Sequence, residues 1–184
     1  MRERTIQGPR VFLSRLVPED VDDRYLSWFE DEYRLRFYTG SGKVFNQDTI
    51  LAEISSDRPG GEVYVYGVFV NESELLIGTI KIGPVDSRNQ ISDLVVHIGD
   101  RENSGKGVAS EAISLGNSIA FNHLGIRKLY GGMFEANVAA IRAYIRGGWV
   151  IEGRLRDHYL VDGQPMDRVL VACFKSPPGP IEES

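Results

Sequence analysis

The stretch that decides the fold runs from residue 91 to residue 111 and reads Ile91-Ser92-Asp93-Leu94-Val95-Val96-His97-Ile98-Gly99-Asp100-Arg101-Glu102-Asn103-Ser104-Gly105-Lys106-Gly107-Val108-Ala109-Ser110-Glu111. Its first part is an apolar, β-branched run that is typical of a strand. A glycine-containing loop follows, and the residues after the loop predict the start of an amphipathic helix. Glycines let the backbone approach an anion closely, and free N–H groups at a helix start point at it. The stretch therefore predicts a site for a diphosphate-bearing cofactor.

Two common phosphate-binding loops do not match these residues. A Walker loop has Gly, four residues and then Gly-Lys-Ser/Thr, whereas Gly105-Lys106 is followed by Gly107 and has no upstream glycine at that offset. This mismatch argues against a mononucleotide-binding domain. A dinucleotide fingerprint has a third glycine where this chain has Ser110. The class of cofactor must therefore come from the rest of the chain.

A second strand and helix downstream carry the more specific pattern. A strand is predicted from Lys128 to Phe134, and the chain then reads Asn137-Val138-Ala139-Ala140-Ile141-Arg142-Ala143-Tyr144-Ile145-Arg146-Gly147-Gly148-Trp149. The order of strand, glycine loop, long helix, strand and Asn-to-Trp helix resembles the GNAT superfamily of acetyl-CoA-dependent N-acetyltransferases. The most similar branch contains the ribosomal-protein N-terminal acetyltransferases and the amino-sugar acetyltransferases. The resemblance covers residues 11–175.

Length and composition predict one domain, located in the cytoplasm. The 184 residues suit a single domain at residues 1–175, and residues 176–184 predict a flexible, proline-rich acidic tail. The net charge of -5 argues against a nucleic-acid partner. No apolar run reaches about 18 residues, and the charged start lacks a signal-peptide pattern, so no membrane partner is expected. The single Cys173 excludes an internal disulfide, and no Cys/His spacing of ligand type predicts a metal.

The order of predicted elements is that of a mixed α/β fold. Strands are predicted at 11–16, 63–70, 75–82, 94–98, 128–134, 149–156 and 168–175, and helices after residue 20 and at 48–55, 107–122 and 137–146. The short connection between the strands at 63–70 and 75–82 predicts an antiparallel hairpin. The resemblance implies the GNAT fold, with a mixed central sheet of about seven strands flanked by about four helices.

The resemblance also implies which residues bind acetyl-CoA. Backbone N–H groups of the strand entering the loop would hold the acetyl carbonyl, at Val95, Val96 and Ile98. Asn137 is a favourable helix N-cap residue, and its side chain is expected to reach the pantetheine arm as well. Ile141 and Tyr144 on the same helix complete the cofactor contacts. The positions that match the diphosphate loop are Arg101, Ser104, Gly105, Lys106, Gly107, Val108 and Ala109.

Attack of an amine on a thioester needs a proton acceptor, stabilisation of an oxyanion and a proton donor for the departing thiolate. Tyr144 stands at the family position of the tyrosine that faces the cofactor sulfur, and a free phenol has a pKa of about 10, which suits protonation of a thiolate. We therefore expect Tyr144 to be the general acid. Asp93 and His97, two residues of one strand face, are equal candidates for the base, and bulk water is the third.

The acceptor is expected between the N-terminal helices and the late strands. Trp28, Arg34 and Tyr38 are the candidate substrate-binding residues in this region. The pair Arg34 and Arg36 beside aromatic residues suits a nucleotide-sugar diphosphate or an acidic peptide. The sequence does not choose between a protein N-terminus, an amino sugar and another small amine, and it leaves room for a homodimer. The competing function is a non-catalytic acyl-CoA-binding sensor, against which the presence of Asn137 and Tyr144 argues.

Overall fold

The computed structural model describes residues 2–30, 35, 37, 46–56 and 63–177. Arg34, Arg36, Tyr38 and most of the predicted tail lie outside these residues. The described chain forms one mixed sheet with helices on both faces, which confirms the predicted fold class. The strands are β1 (Ile6–Gln7), β2 (Val11–Arg15), β3 (Tyr64–Val70), β4 (Leu76–Asp86), β5 (Ile91–Ile98), β6 (Lys128–Phe134), β7 (Val150–Val161) and β8 (Gln164–Phe174). The helices are α1 (Asp23–Ser27), α2 (Gln47–Ser56), α3 (Val108–Asn122) and α4 (Val138–Arg146), with a 3-10 turn at Pro18–Asp20.

The sheet has eight strands, one more than the sequence predicts. Its order is β1-β2-β3-β4-β5-β6-β8-β7. The extra strand is β1, which adds only Ile6 and Gln7 at the edge beside β2. A two-residue strand is too short to show an alternating pattern, so the sequence carries no signal for it. The predicted hairpin is confirmed, because β3 and β4 pair antiparallel.

The middle of the sheet opens between β5 and β6. These two strands are parallel and pair only at Ile91 with Lys128, Ser92 with Leu129 and Asp93 with Tyr130. Beyond this point β5 continues beside β4 alone, while β6 continues beside β8. Backbone polar groups along the opening therefore need partners other than a strand ladder. Such an opening can receive a ligand.

Each face of the sheet has its own core. Because side chains alternate along a strand, Leu94 of β5 points to the face that packs on α3 and α4, whereas Asp93, Val95 and His97 point to the other face. The first core contains Ile80, Leu94, Ile113, Leu129 and Tyr144, among others. The second contains Phe12, Trp28, Ile50, Val65 and Phe69, and it lies beneath α1 and α2.

Polar contacts fix the two helices that border the opening. Asn117 of α3 accepts a hydrogen bond from Trp149 Nε1 at 3.0 Å and donates one to the carbonyl of Gly147 at 2.8 Å, which holds the end of α4. Glu111, in the first turn of α3, accepts hydrogen bonds from the backbone N–H groups of Arg10 and Val11 and from the Arg10 side chain. Burial alone raises the pKa of Glu111, but these hydrogen bonds outweigh it and lower the pKa below its usual value.

Candidate active site

The glycine loop joins β5 to α3 and has the backbone geometry of an anion site. Gly105 and Gly107 have φ of 77° and 81°, in the left-handed region that favours glycine, and Gly107 is the N-cap of α3. A Cβ added at Gly105 would meet no protein atom within 4 Å, so the space beside this backbone is open. The Ser104 N–H donates to the carbonyl of Arg101 at 3.2 Å and is therefore engaged in the turn. The helix dipole of α3 favours an anion at this end.

A groove of about 510 Å³ runs from this loop along α4. Its walls include most of the predicted cofactor residues, namely Val96, Ile98, Ser104, Gly105, Gly107, Val108, Ala109 and Asn137. Arg101 and Lys106 are exposed and do not line it, and the Lys106 carbonyl accepts a hydrogen bond from Arg10 at 2.7 Å. Ile141 packs against the core beneath α4 instead.

Two arginine side chains that the sequence interpretation missed also line the groove. Ala139, Arg142, Ala143 and Arg146 line it from α4, and Arg146 Nε donates to Ser110 Oγ at 3.3 Å. These four residues of α4 are spaced three, four and seven residues apart, as on one face of a helix, and this spacing was the sequence signal that could have identified the two arginines. Both arginines line the same groove as the glycine loop, where their positive charge suits an anionic ligand.

A second cavity of about 410 Å³ fills the opening between β5 and β6. It is lined by Phe37, Asp93, Leu94, Val95, Val96, Gly131, Gly132, Met133, Asn137, Ala140, Tyr144, Tyr159 and Arg168. Val96, Asn137 and Ala140 also line the groove, so the two spaces adjoin. A ligand that lies in the groove can therefore place its end in the opening of the sheet.

Tyr144 reaches this opening from α4. The N-terminus of the helix is capped as predicted, because Asn137 Oδ1 accepts from the Ala140 N–H at 3.2 Å. The Tyr144 ring is buried and packs edge-on against Trp149, with ring centroids 4.8 Å apart. Its hydroxyl donates to the Leu94 carbonyl at 2.8 Å and accepts from the Val96 N–H at 3.3 Å. The phenol oxygen thus lies where β5 has lost its β6 neighbour.

Asp93 lies in the same cavity as Tyr144. It is the last residue of β5 that pairs with β6. Burial raises the pKa of Asp93 above its usual value of 3.8, while the Leu94 N–H and the charges of Lys81 and Arg168 act in the opposite direction. Lys81 is itself paired with Glu53 of α2, with an Nζ–Oε1 distance of 2.7 Å. The carboxyl group is therefore held in a partly desolvated position.

His97 and Trp28 have different surroundings from Asp93. The His97 ring stacks on Phe29 with centroids 5.2 Å apart and lies 6.4 Å from the Trp28 ring. His97 lines the groove and a small cavity of about 30 Å³ under α1, whereas the cavity around Tyr144 does not include it. Trp28 is buried in the second core, and its ring fills the space next to Gly99. The structure thus places Asp93, and not the His97 side chain, beside Tyr144.

Arg168 and Tyr159 also line this cavity, and the sequence interpretation did not identify either residue. Tyr159 of β7 stacks on Phe134 with centroids 4.0 Å apart, and the Arg168 guanidinium lies 5.8 Å from the Tyr159 ring. A charged residue immediately before the apolar run Val169-Leu170-Val171 was the only signal for Arg168. Its position beside the opening follows from the β6–β8 pairing, which cannot be read from local pattern.

In the parts of the chain that the structure describes, no group of three or more His, Cys, Asp and Glu side chains is placed to hold a metal ion. Among those same residues, none of the helices combines the length and the apolar character needed to cross a membrane.

Comparison with known proteins agrees with this geometry. A family model of the GNAT acetyltransferase domain matches residues 10–150. The probable N-acetyltransferase YjcK of Bacillus subtilis is 25% identical over 178 residues, which are 92% of this chain and 96% of the relative. The spermidine N(1)-acetyltransferase of Escherichia coli is 27% identical over 100 residues, which are 54% of this chain and 52% of that protein.

Solved structures share the fold. The spermidine N-acetyltransferase of Vibrio cholerae in complex with CoA and spermine has a TM-score of 0.79 at 17% identity, covering 91% of this chain and 97% of that one. The ribosomal-protein-S5-alanine acetyltransferase of Vibrio fischeri has a TM-score of 0.78 at 13% identity, covering 95% and 98%. Because the family model spans well over half of the residues, the chain belongs to the GNAT acetyltransferase family and is an acetyl-CoA-dependent acetyltransferase.

Proposed function

We propose that the protein acetylates a primary amine by direct attack of the amine on acetyl-CoA within a ternary complex. The observation that carries this proposal is the meeting of two spaces at the opening of the sheet. The groove approaches from the face covered by α3 and α4, whereas Asp93 and Arg168 line the cavity from the opposite face. Two substrates can therefore occupy the site at once and meet beside Val96 and Tyr144.

The residues present fit acetyl-CoA. The open, left-handed glycines at the start of α3 suit the diphosphate, and Arg142 and Arg146 add positive charge to the same groove. Asn137 and Ala140 border the path from the groove into the opening. When bound, acetyl-CoA supplies the acetyl group as a thioester.

Val96 and Tyr144 are the residues proposed to act on the reacting groups. The Val96 N–H points to the opening, since it donates to the Tyr144 hydroxyl there, and it is placed to stabilise negative charge that develops on a carbonyl oxygen. The Tyr144 hydroxyl carries the proton that the departing sulfur requires, and transfer to sulfur would replace its hydrogen bond to the Leu94 carbonyl. The amine nitrogen gains a bond to the acetyl carbon as the C–S bond breaks.

Asp93 is proposed as the residue that removes the first proton from the substrate ammonium, directly or through water. Burial raises the pKa of Asp93, which makes the carboxylate a stronger base. His97 is left as the weaker candidate because its ring stacks on Phe29 outside the cavity that contains Tyr144. The second proton of the nitrogen then restores the phenol of Tyr144.

The class of acceptor is proposed from the size of the cavity and from the names of similar proteins. A volume of about 410 Å³ can hold a small amine or the first residue of a peptide. The named relatives include acetyltransferases of spermidine and of the alanine of ribosomal protein S5, and an amino group is common to both. We therefore place a primary amine beside Asp93.

The test is a measurement of CoA thiol release from acetyl-CoA with a panel of amines, including N-terminal peptides, polyamines and amino-sugar nucleotides, with mass spectrometry of the product. The proposal expects stoichiometric thiol release and amide formation with at least one amine. A non-catalytic sensor would instead bind acetyl-CoA and leave every amine unmodified, and this result would contradict the proposal.

A further inference from the structure

One charged side chain in the active-site cavity has no assigned role. Arg168 of β8 pairs in register with Phe134 of β6, while Asp93 of β5 pairs with Tyr130 of the same strand. Tyr130 and Phe134 are four residues apart on β6, and paired residues share a face, so Arg168 and Asp93 project from the same face of the sheet. Both line the cavity of about 410 Å³. The acceptor space therefore has an acidic and a basic group in its walls.

The guanidinium of Arg168 is held in place by its neighbours. It lies against the backbone of Gly132, where any Cβ would overlap it, and 5.8 Å from the Tyr159 ring. The Nε atom of Arg168 is buried and has no hydrogen-bond partner among the described residues. No ion pair within 4.0 Å involves Arg168 in that part of the chain either. Arg168 as a whole is half-buried and lines the cavity without a carboxylate partner among the residues that the structure describes, so the exposed part of its guanidinium is suited to receive an anion from a ligand.

We propose that the acceptor is an amine that also carries an anionic group, and that this group binds Arg168 while the amino group lies at Asp93. This inference rests on the proposed acetyltransferase function and names its substrate class. The planar fork of arginine matches a carboxylate or a phosphate, which is the chemistry shared by the expected ligands. A polyamine would instead bring a second cation towards Arg168, and this repulsion selects against it.

A purely structural role for Arg168 predicts a different effect of its removal on the reaction rate. If Arg168 served only as a counter-charge for Asp93, its removal would change the rate with every amine in the same proportion. If it binds the anionic group of the acceptor, its removal would change the rate only with amines that carry such a group. The ratio of kcat/KM between matched anionic and cationic acceptors, compared in the wild type and in Arg168→Gln, therefore distinguishes the two roles.

The experiment compares acceptors that differ only in the charge at their far end. With two-carbon spacing, β-alanine and O-phosphoethanolamine are compared with ethylenediamine; with three-carbon spacing, 4-aminobutyrate is compared with 1,3-diaminopropane. In the wild type, kcat/KM should favour the anionic amine at one spacing or both, and the better of β-alanine and O-phosphoethanolamine identifies the anion. Arg168→Gln should lower kcat/KM for that amine about 10- to 100-fold, mainly through KM, and change the diamines by less than about twofold.

Two further variants control for charge and for position. Arg156→Gln removes an exposed cation on the neighbouring strand β7 outside the cavity, and acceptor preference should not change. Gly132→Ala keeps the charge but displaces the guanidinium, and it should reproduce the selective loss. Equal or better rates with diamines, or a loss in Arg168→Gln that is the same for all amines, would overturn the inference.

A measurement of acceptor binding tests this inference independently of the proposed function. Calorimetric titration of β-alanine and of O-phosphoethanolamine into the complex with CoA measures acceptor binding without turnover. Binding that is present in the wild type and lost in Arg168→Gln supports the anionic acceptor, even if no amine is acetylated and the proposed function fails. Acetylation of other amines with no binding of either anionic amine would overturn the inference and leave the proposed function intact.

Discussion

Replacement of Tyr144 by phenylalanine removes one oxygen atom and leaves the buried ring in place. That oxygen makes two hydrogen bonds, to the Leu94 carbonyl at 2.8 Å and from the Val96 N–H at 3.3 Å. A net value of about 0.5–1.5 kcal/mol for each bond predicts a loss of about 1–3 kcal/mol in the free energy of unfolding. For a chain of this size, the melting temperature should fall by about 2 to 12 °C. The variant therefore remains folded at 25 °C.

The catalytic effect should be larger than the structural one. If the hydroxyl of Tyr144 protonates the departing sulfur, kcat in Tyr144→Phe should fall about 10- to 1000-fold, which corresponds to about 1.4–4 kcal/mol in the barrier. The dissociation constant of acetyl-CoA should change little, since the cofactor contacts from the glycine loop and α4 are intact. The assay is thiol release at saturating acetyl-CoA and amine, with melting curves on the same samples. A kcat within about twofold of the wild type would refute the assignment of Tyr144 as general acid.

Three more predictions concern the loop, the base and the anchor of α3. Gly105→Ala should weaken CoA binding about tenfold by adding a methyl group inside the groove, as measured by calorimetry. Asp93→Asn should abolish the limb of the kcat/KM pH profile that reports the ionisation of Asp93, which lies above pH 3.8 because the pKa of Asp93 is raised. The same variant should raise the free energy of unfolding at pH 7, because a group with a raised folded pKa destabilises the fold when it is ionised above that pKa. Glu111→Gln should lower the free energy of unfolding by about 2 kcal/mol at pH 7. The stabilisation that ionised Glu111 gives the wild-type fold is present above pH 4.5 and is lost as the pH falls through the depressed pKa of Glu111.

Each of the three has a matched control. Gly163 has φ of 75° and equally open surroundings in the β7–β8 turn, so Gly163→Ala carries the same backbone strain and should leave CoA binding unchanged. Asp86→Asn should keep the pH profile of the wild type, since Asp86 lies outside the cavity. Glu152 is more exposed than Glu111 and pairs with Lys128, and Glu152→Gln should cost less than about 0.5 kcal/mol. Equal effects in a variant and its control would contradict the role given to that residue.

The sequence predicted the parts of the fold that have local signals. The strand from Lys128 to Phe134 and the capping of α4 by Asn137 follow from composition and spacing, and the structure confirms both. The glycine loop could be predicted because glycine permits the positive φ that the structure shows there. The resemblance to one family supplied the expected fold and the expected role of Tyr144.

The remaining features depend on contacts between residues far apart in the chain. The two residues of β1 pair only because β2 lies beside them. Asp93 and His97 share a strand face, yet the His97 ring stacks on Phe29 and does not line the cavity around Tyr144. Arg168 enters the site through the β6–β8 register, which no local pattern specifies. Tertiary packing therefore decides which polar residues meet, and periodicity alone cannot identify them.

An amine and acetyl-CoA are proposed to react together where the sheet opens beside Val96 and Tyr144. The most direct measurement is steady-state thiol release with both substrates varied, using an amine that the panel identifies. A ternary complex predicts initial-rate lines that intersect, and no acetylated form of the enzyme should be detected by mass spectrometry when acetyl-CoA is added alone. Parallel lines together with an acetylated enzyme would show that the acetyl group passes through the protein, and this result would contradict the account.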